Sequence, residues 1–135
     1  MILFSKWQKK IKPAAEGKTG PYGEEIAASF LQAQGYAIIE RNYRKRFGEI
    51  DIIAEDGEEL VFIEVKTRKS NRFGSPLEAV DTRKQQKMSR VALAYLNSLE
   101  MADRAARFDV VAVLLRGNLP PEIELVKDAF ELCNE

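Results

Sequence analysis

Histidine is absent from the 135 residues. That absence excludes Ser-His-Asp and Cys-His catalysis, histidine general bases and most zinc sites. The single cysteine, Cys133, excludes an intramolecular disulfide and suits a reducing compartment. No apolar run reaches the length of a membrane span, and the opening MILF is too short for a signal-peptide core. The expectation is a soluble, cytoplasmic protein with no membrane association. Net charge is lacking as well, since 21 Lys and Arg balance 21 Asp and Glu. Proteins that seek polyanions are normally basic throughout, so any nucleic-acid surface here must be local.

What is present reads as one globular domain. At 45% hydrophobic and 31% charged, a chain of this length buries roughly two-thirds of the surface its unfolded form exposes. The charge is unevenly placed. Residues 1–20 carry five lysines against Glu16, residues 21–40 carry three glutamates and no basic residue, and residues 41–90 carry twelve basic and nine acidic residues. From 117 onward five acidic residues face Lys127 alone. Residues 1–18, with Lys6, Lys9, Lys10 and Lys12 before Pro13 and Gly17, are therefore expected to form a flexible basic N-terminal tail. The competing use of such a tail is as an arm that grasps phosphates. Residues 19–135 are the domain proper.

Within it, Ile26, Ala27, Phe30 and Leu31 make the apolar face of a helix over about 22–34, stopped by Gly35. Strands follow at about 36–43, 48–54 and 60–67, the last two joined by a hairpin signal at Asp56-Gly57. Ser75-Pro76-Leu77-Glu78 reads as a capping box, and Thr82 with Gln85 as a second possible helix start. The long helix beyond them carries Met88, Val91, Ala92, Tyr95, Leu96 and Leu99 on one stripe. A fourth strand spans about 107–115, and a shorter fifth lies around 123–126. Short links make the first three strands an antiparallel meander, and the long helix makes strands three and four parallel neighbours. The expected architecture is a three-layer α/β/α sandwich around a mixed five-stranded sheet.

The carboxylates fall in telling places. Ile50 and Ile52 should share one face of the second strand, with Glu49, Asp51 and Ile53 on the other; in the third strand Phe62, Glu64 and Lys66 share a face. A two-residue turn at Asp56-Gly57 sets Asp51 diagonal to Glu64, and a loop from Asp56 to Glu59 sets them directly opposite. Either register brings the two carboxylates to one face, with β-carbons roughly 5–8 Å apart. Two such charges about 5 Å apart repel by roughly 3 kcal/mol at an effective dielectric near 20. A hard divalent cation reverses that sign, and Mg²⁺ favours one or two carboxylates with water and phosphate. Lys66 points to the same face and is placed to position water or steady charge on a phosphate. The alternative is a plain salt bridge from Lys66 or Arg68 to the pair.

Helical phase separates two neighbouring glutamates. Glu25 lies opposite the apolar face, in solvent, while Glu24 lies at its border and can reach the sheet; the alternative role for Glu24 is to favour the helix dipole. Lys84 and Lys87 either meet a phosphate near the carboxylates or are ordinary surface lysines. Asp109, alternating with Phe108 and Val110, is read as structural.

Taken together, the helix glutamate, GEIDII, FIEVKTR, RKQQK and RFDVV resemble the bacterial YraN family of predicted endonuclease-like proteins. That family belongs to the restriction-endonuclease-like group that includes archaeal Holliday-junction resolvases. The resemblance covers about residues 19–130, including KDAF at 127–130. The group's Asp…Glu-x-Lys signature maps onto Asp51, Glu64 and Lys66, and its first-helix glutamate onto Glu24. Ile50 stands where the group's named pattern has proline. The resemblance implies a restriction-endonuclease-like fold, nucleic-acid binding and Mg²⁺- or Mn²⁺-dependent phosphodiester hydrolysis, on DNA rather than RNA, with structured or branched DNA as a candidate substrate. In that reading Asp51 and Glu64 hold the metal, the Val65 carbonyl is a third ligand, Lys66 orients water, and Glu24 binds a second metal or fixes the first. Arg41, Arg44, Lys45, Arg46, Arg68, Lys69 and Arg72, with Lys84 and Lys87, are the phosphate contacts. Action on two strands favours a homodimer. The rival readings are a non-catalytic nucleic-acid-binding accessory protein on the same fold and a protein-interaction module with no nucleic-acid role, using the acidic C-terminal segment.

Overall fold

A computed structural model of the chain describes residues 2–6, 19–69 and 75–133. Its elements run β1 (Ile2–Lys6), α1 (Thr19–Ala33), β2 (Ala37–Lys45), β3 (Gly48–Asp56), β4 (Glu59–Arg68), a 3-10 turn (Pro76–Ala79), α2 (Thr82–Ser98), β5 (Ala106–Arg116) and β6 (Leu119–Phe130). The strands form one sheet in the order β1-β6-β5-β4-β3-β2. β2, β3 and β4 are the expected antiparallel meander. β4 and β5 run parallel, because the α2 crossover returns the chain to the same end of the sheet.

Apolar residues on both faces of the central strands require cover on both sides. Ile26, Phe30 and Leu31 of α1 pack with Ile52, Ile63 and Val111 in one core. Met88, Val91 and Tyr95 of α2 pack with Ile53, Phe62 and Val110 in the other. Each large side chain fully withdrawn from water contributes roughly 1.5–3 kcal/mol, so burial holds each helix to its own face of the sheet. The result is the expected α/β/α sandwich with a mixed sheet.

Four details differ from the expectation. The sheet has six strands rather than five, because residues 2–6, assigned above to the tail, pair antiparallel with β6 from Ile2↔Val126 to Lys6↔Glu122. The unpaired backbone along an edge strand is a template for any short β-prone segment. The remainder of the proposed tail, residues 7–18, lies outside the described residues, as does Arg72. β6 is longer than expected, with Pro120 and Pro121 accommodated where its register against β5 shifts. The cap of α2 is Asp81, whose side chain accepts from the Lys84 N–H at 2.9 Å, while Ser75 makes no side-chain cap. Leu99 lies past the end of α2 and is exposed.

The start of α1 lies very close to the end of β4. A β-carbon at Gly23 would come 1.7 Å from Thr67 Oγ1, so only glycine permits this approach. Gly23→Ala is expected to lift the first turn of α1 off the sheet and cost about 1–3 kcal/mol, the usual penalty of overpacking. Thermal unfolding checks this. A melting temperature equal to that of the wild type would show that the approach is not needed.

Candidate active site

The β3–β4 ladder is regular from Asp56↔Glu59 to Ile52↔Ile63, with Gly57 and Glu58 between its ends. This is the register that the longer loop requires. One step further along it, Asp51 comes opposite Glu64. Here the ladder changes character, for the Val65 N–H donates to Asp51 Oδ2 at 2.8 Å. On the other flank Asn42 takes φ 55° between the pairs Arg41↔Ile52 and Tyr43↔Ile50, a conformation asparagine adopts more readily than most residues. Ile50 and Ile52, expected on one face, pack into opposite cores. Alternation in β3 therefore turns over at Asp51. A local irregularity of this kind re-aims a side chain out of the regular pleat.

Both carboxylates are nearly withdrawn from water, Asp51 at 6% and Glu64 at 9% exposure. Burial, then the hydrogen bond and the negative charge of Glu64, push the Asp51 carboxyl up to about 8, against the opposing pull of the Val65 N–H and Lys84. Lys84 reaches in from α2, its Nζ 2.9 Å from Glu64 Oε2. Its partial burial works against its charge, but the bond to Glu64 and the charges of Glu64, Asp51 and Glu49 hold its pKa above the ordinary lysine value. A proton and one ammonium thus balance the pair. Two facing buried carboxylates of this kind fit a hard divalent cation, which would take the place of the proton.

Glu24 enters from the α1 side. Burial and then the Asp51 charge raise its pKa, while Arg41 and a hydrogen bond from Asn42 lower it. Glu25 is exposed and pairs with Arg41 at 2.9 Å. Among the described residues no group of three or more acidic, histidine or cysteine side chains is placed to hold a metal, so Glu24 stands beside the Asp51–Glu64 pair as a neighbour. Glu24→Gln is expected to weaken Mn²⁺ binding measurably and Glu25→Gln to leave it unchanged. Titration of Mn²⁺ by calorimetry on both variants decides, and equal effects would overturn the distinction.

Cationic side chains surround the pair on the α2 side. A cleft of about 420 Å³ is lined by Glu64, Lys66, Asp81, Arg83, Lys84 and Lys87. Lys66 is exposed there. A second cleft of about 610 Å³ lies between α2 and the β2–β3 turn, with Arg44, Lys45, Arg46, Lys87 and Arg90 in its wall. Lys84 and Lys87 line both. Arg44 is highly exposed and pairs with Glu49 at 3.0 Å. Arg68 instead donates to the Ser75 carbonyl at 3.3 Å, so it ties down the segment before α2.

Sequence patterning does not reveal the direct bond between Lys84 and Glu64, the left-handed backbone at Asn42, or the place of Arg90 in the wall of the second cleft. Only the row of basic residues on α2 points toward the last. Asp109 is fully buried, as a structural residue should be. It accepts from the Tyr36 hydroxyl at 2.7 Å, from Arg107 Nε at 3.0 Å and from the Asp128 N–H at 2.9 Å. Arg107 further bridges Asp56 at 2.7 Å and Glu59 at 2.9 Å, fastening the far ends of β3, β4 and β5.

A small α/β sandwich with buried paired carboxylates at a strand irregularity, opening onto basic clefts, defines the class of protein. Its sequence matches the family described as "Uncharacterised protein family UPF0102" over residues 23–113. It is 52% identical over 119 residues to a UPF0102 protein of Syntrophus aciditrophicus, covering 86% of this chain and 91% of that one. It is 53% identical over 114 residues to a UPF0102 protein of Geotalea daltonii, covering 84% and 90%. A UPF0102 protein of Moorella thermoacetica is 52% identical over 114 residues, covering 84% and 95%. The chain belongs to the UPF0102 family. Among its described residues no helix is long and apolar enough to cross a membrane.

Proposed function

We propose that this UPF0102 protein is a Mg²⁺- or Mn²⁺-dependent nuclease that hydrolyses phosphodiester bonds in DNA, with an endonuclease-like fold as its YraN-like motifs suggest. The observation that carries this reading is the buried Asp51–Glu64 pair, whose Glu64 shares a cleft with Lys66, Arg83, Lys84 and Lys87. Asp51, Glu64 and the Val65 carbonyl would hold the ion, with the Val65 N–H fixing the orientation of the Asp51 carboxylate. Once bound, the ion supplies Lewis acidity at the phosphoryl oxygen and a water of lowered pKa. Lys66 orients that water or meets charge on the phosphate. Lys84, bonded to Glu64, keeps further ammonium N–H groups and would meet the phosphate backbone together with Lys87. Glu24 adjusts the charge at Asp51 from the opposite side. The protein works in the cytoplasm, and cleavage of both strands of a duplex or junction calls for a homodimer.

The test is a cleavage screen with Mg²⁺ and Mn²⁺ over single-stranded, duplex, flapped and junction DNA and their RNA counterparts, with Asp51→Asn as the control. Metal-dependent cleavage by the wild type and none by the variant is the expected result. Absence of cleavage on every substrate, with binding retained, would transfer the protein to the accessory class.

A further inference from the structure

The basic row on α2 ends in an arrangement that the chemistry of hydrolysis does not use. The Arg90 guanidinium lies over the Phe47 ring, 4.5 Å from its centroid. Phe47 is half-buried and packs against the α2-side core, whereas Arg90 is exposed. The two therefore form a cation–π plate in the wall of the 610 Å³ cleft, the ring held against the core and the guanidinium outermost.

Lys84, Lys87 and Arg90 follow one another at intervals of three on α2, which makes them a single slanted row on the helix surface. The row starts at Glu64, bonded to Lys84, and ends at the plate. Six residues of helix span about 9 Å, a short walk of one or two nucleotides along a strand. The two lysines are point charges suited to backbone phosphates, and Arg44, Lys45 and Arg46 face them across the cleft from the β2–β3 turn. A guanidinium plane backed by an aromatic ring does something different. It offers a surface on which a nucleobase stacks. Inside a continuous duplex both faces of each base are already covered by its neighbours, so the plate can serve only a base that has left the stack.

We infer that the Phe47–Arg90 plate is a stacking site for an unpaired nucleobase, and that the strand bound through Lys84 and Lys87 is single-stranded for at least the nucleotides next to the carboxylate pair. The inference rests on the nuclease reading and adds the substrate class to it: flaps, overhangs and single strands are bound in preference to uninterrupted duplex.

Fluorescence anisotropy on the full chain, in EDTA so that nothing is cleaved, tests this with a labelled non-pairing DNA single strand and a blunt duplex of the same length. The wild type should bind the single strand more tightly. Arg90→Ala should weaken single-strand binding about tenfold, the usual scale of one lost stacking contact, and duplex binding by no more than about twofold, one surface charge's share. Arg90→Lys keeps the charge and loses the plane, so it should bind the single strand nearly as weakly as Arg90→Ala. Because Arg90 is exposed, these variants leave the core intact. Full single-strand affinity in Arg90→Lys, or tighter binding of the duplex by the wild type, overturns the inference while leaving the nuclease reading in place. Binding of neither DNA overturns both.

Discussion

In the absence of metal, the protein should lose stability as the pH rises from 5 to 9, and Mn²⁺ should restore it. The cause is Asp51. Its carboxyl is pushed from an ordinary value up to about 8 by burial and by Glu64. A group whose pKa is raised on folding contributes stability that is fully present below its unfolded pKa and is lost as the pH climbs through its folded one. The window therefore runs from about pH 4 to pH 8. At 1.36 kcal/mol for each pKa unit, the whole effect is of the order of 5 kcal/mol. Asp56 acts in the opposite sense. The Arg107 hydrogen bond lowers its pKa, so its contribution is lost only in acid, below this window. Asp51→Asn should flatten the curve between pH 5 and 9 and exceed the wild type in stability at pH 9, since an amide can still accept from the Val65 N–H. It should also abolish the Mn²⁺ effect, which in the wild type reaches about 2.7 kcal/mol at 100 times the dissociation constant. That stabilisation should grow with pH, because the ion must displace the shared proton. Thermal melts of both proteins across this range, with and without Mn²⁺, make the measurement. A wild-type melting temperature indifferent to millimolar Mn²⁺ at pH 8 would remove the metal site from consideration.

Much of this site is legible from residue order alone, because periodicity reports which face a side chain takes. The apolar stripes of α1 and α2, the meander and the parallel crossover all follow from patterns of 3.6 and 2 with short or long links. Glu24 and Glu25 separate by phase alone. Patterning fails where backbone conformation departs from the regular pleat. Asn42 at φ 55° and the turnover of β3 at Asp51 depend on how two strands and a helix meet, and a strict alternation puts Ile50 and Ile52 on one face. The edge strand β1 escapes for a related reason. Five β-prone residues become a strand where β6 presents a free edge to them, and a run this short at the chain end does not announce its partner. Lys84 is visible as a lysine that could either meet a phosphate or face solvent, but its choice of Glu64 is settled by the depth of the carboxylate, a property of the packed molecule.

Replacing Lys66 by alanine should remove most cleavage while barely touching affinity. Lys66 and Lys84 share one cleft with Glu64, yet their situations differ. Lys84 is bonded to Glu64 and balances its charge, whereas Lys66 is exposed in that cleft, where it would be available to water and to the phosphate of the proposed reaction. A residue that acts at the scissile group changes the chemical step, and its loss subtracts only about one phosphate contact from the dependence of binding on salt. The pair Arg44→Ala with Arg46→Ala makes the opposite case. Both residues are exposed in the wall of the second cleft, so their loss should weaken binding to all DNA sequences alike and reduce the salt slope by roughly two on duplex if each meets a phosphate. Single-turnover cleavage and salt-dependent anisotropy on these proteins and on Lys84→Ala separate the two kinds of residue. Should Lys66→Ala cleave a verified substrate at the wild-type rate while Lys84→Ala is inactive, the lysine of the chemistry comes from α2, and the Asp51–Glu64–Lys66 assignment on adjoining strands is wrong.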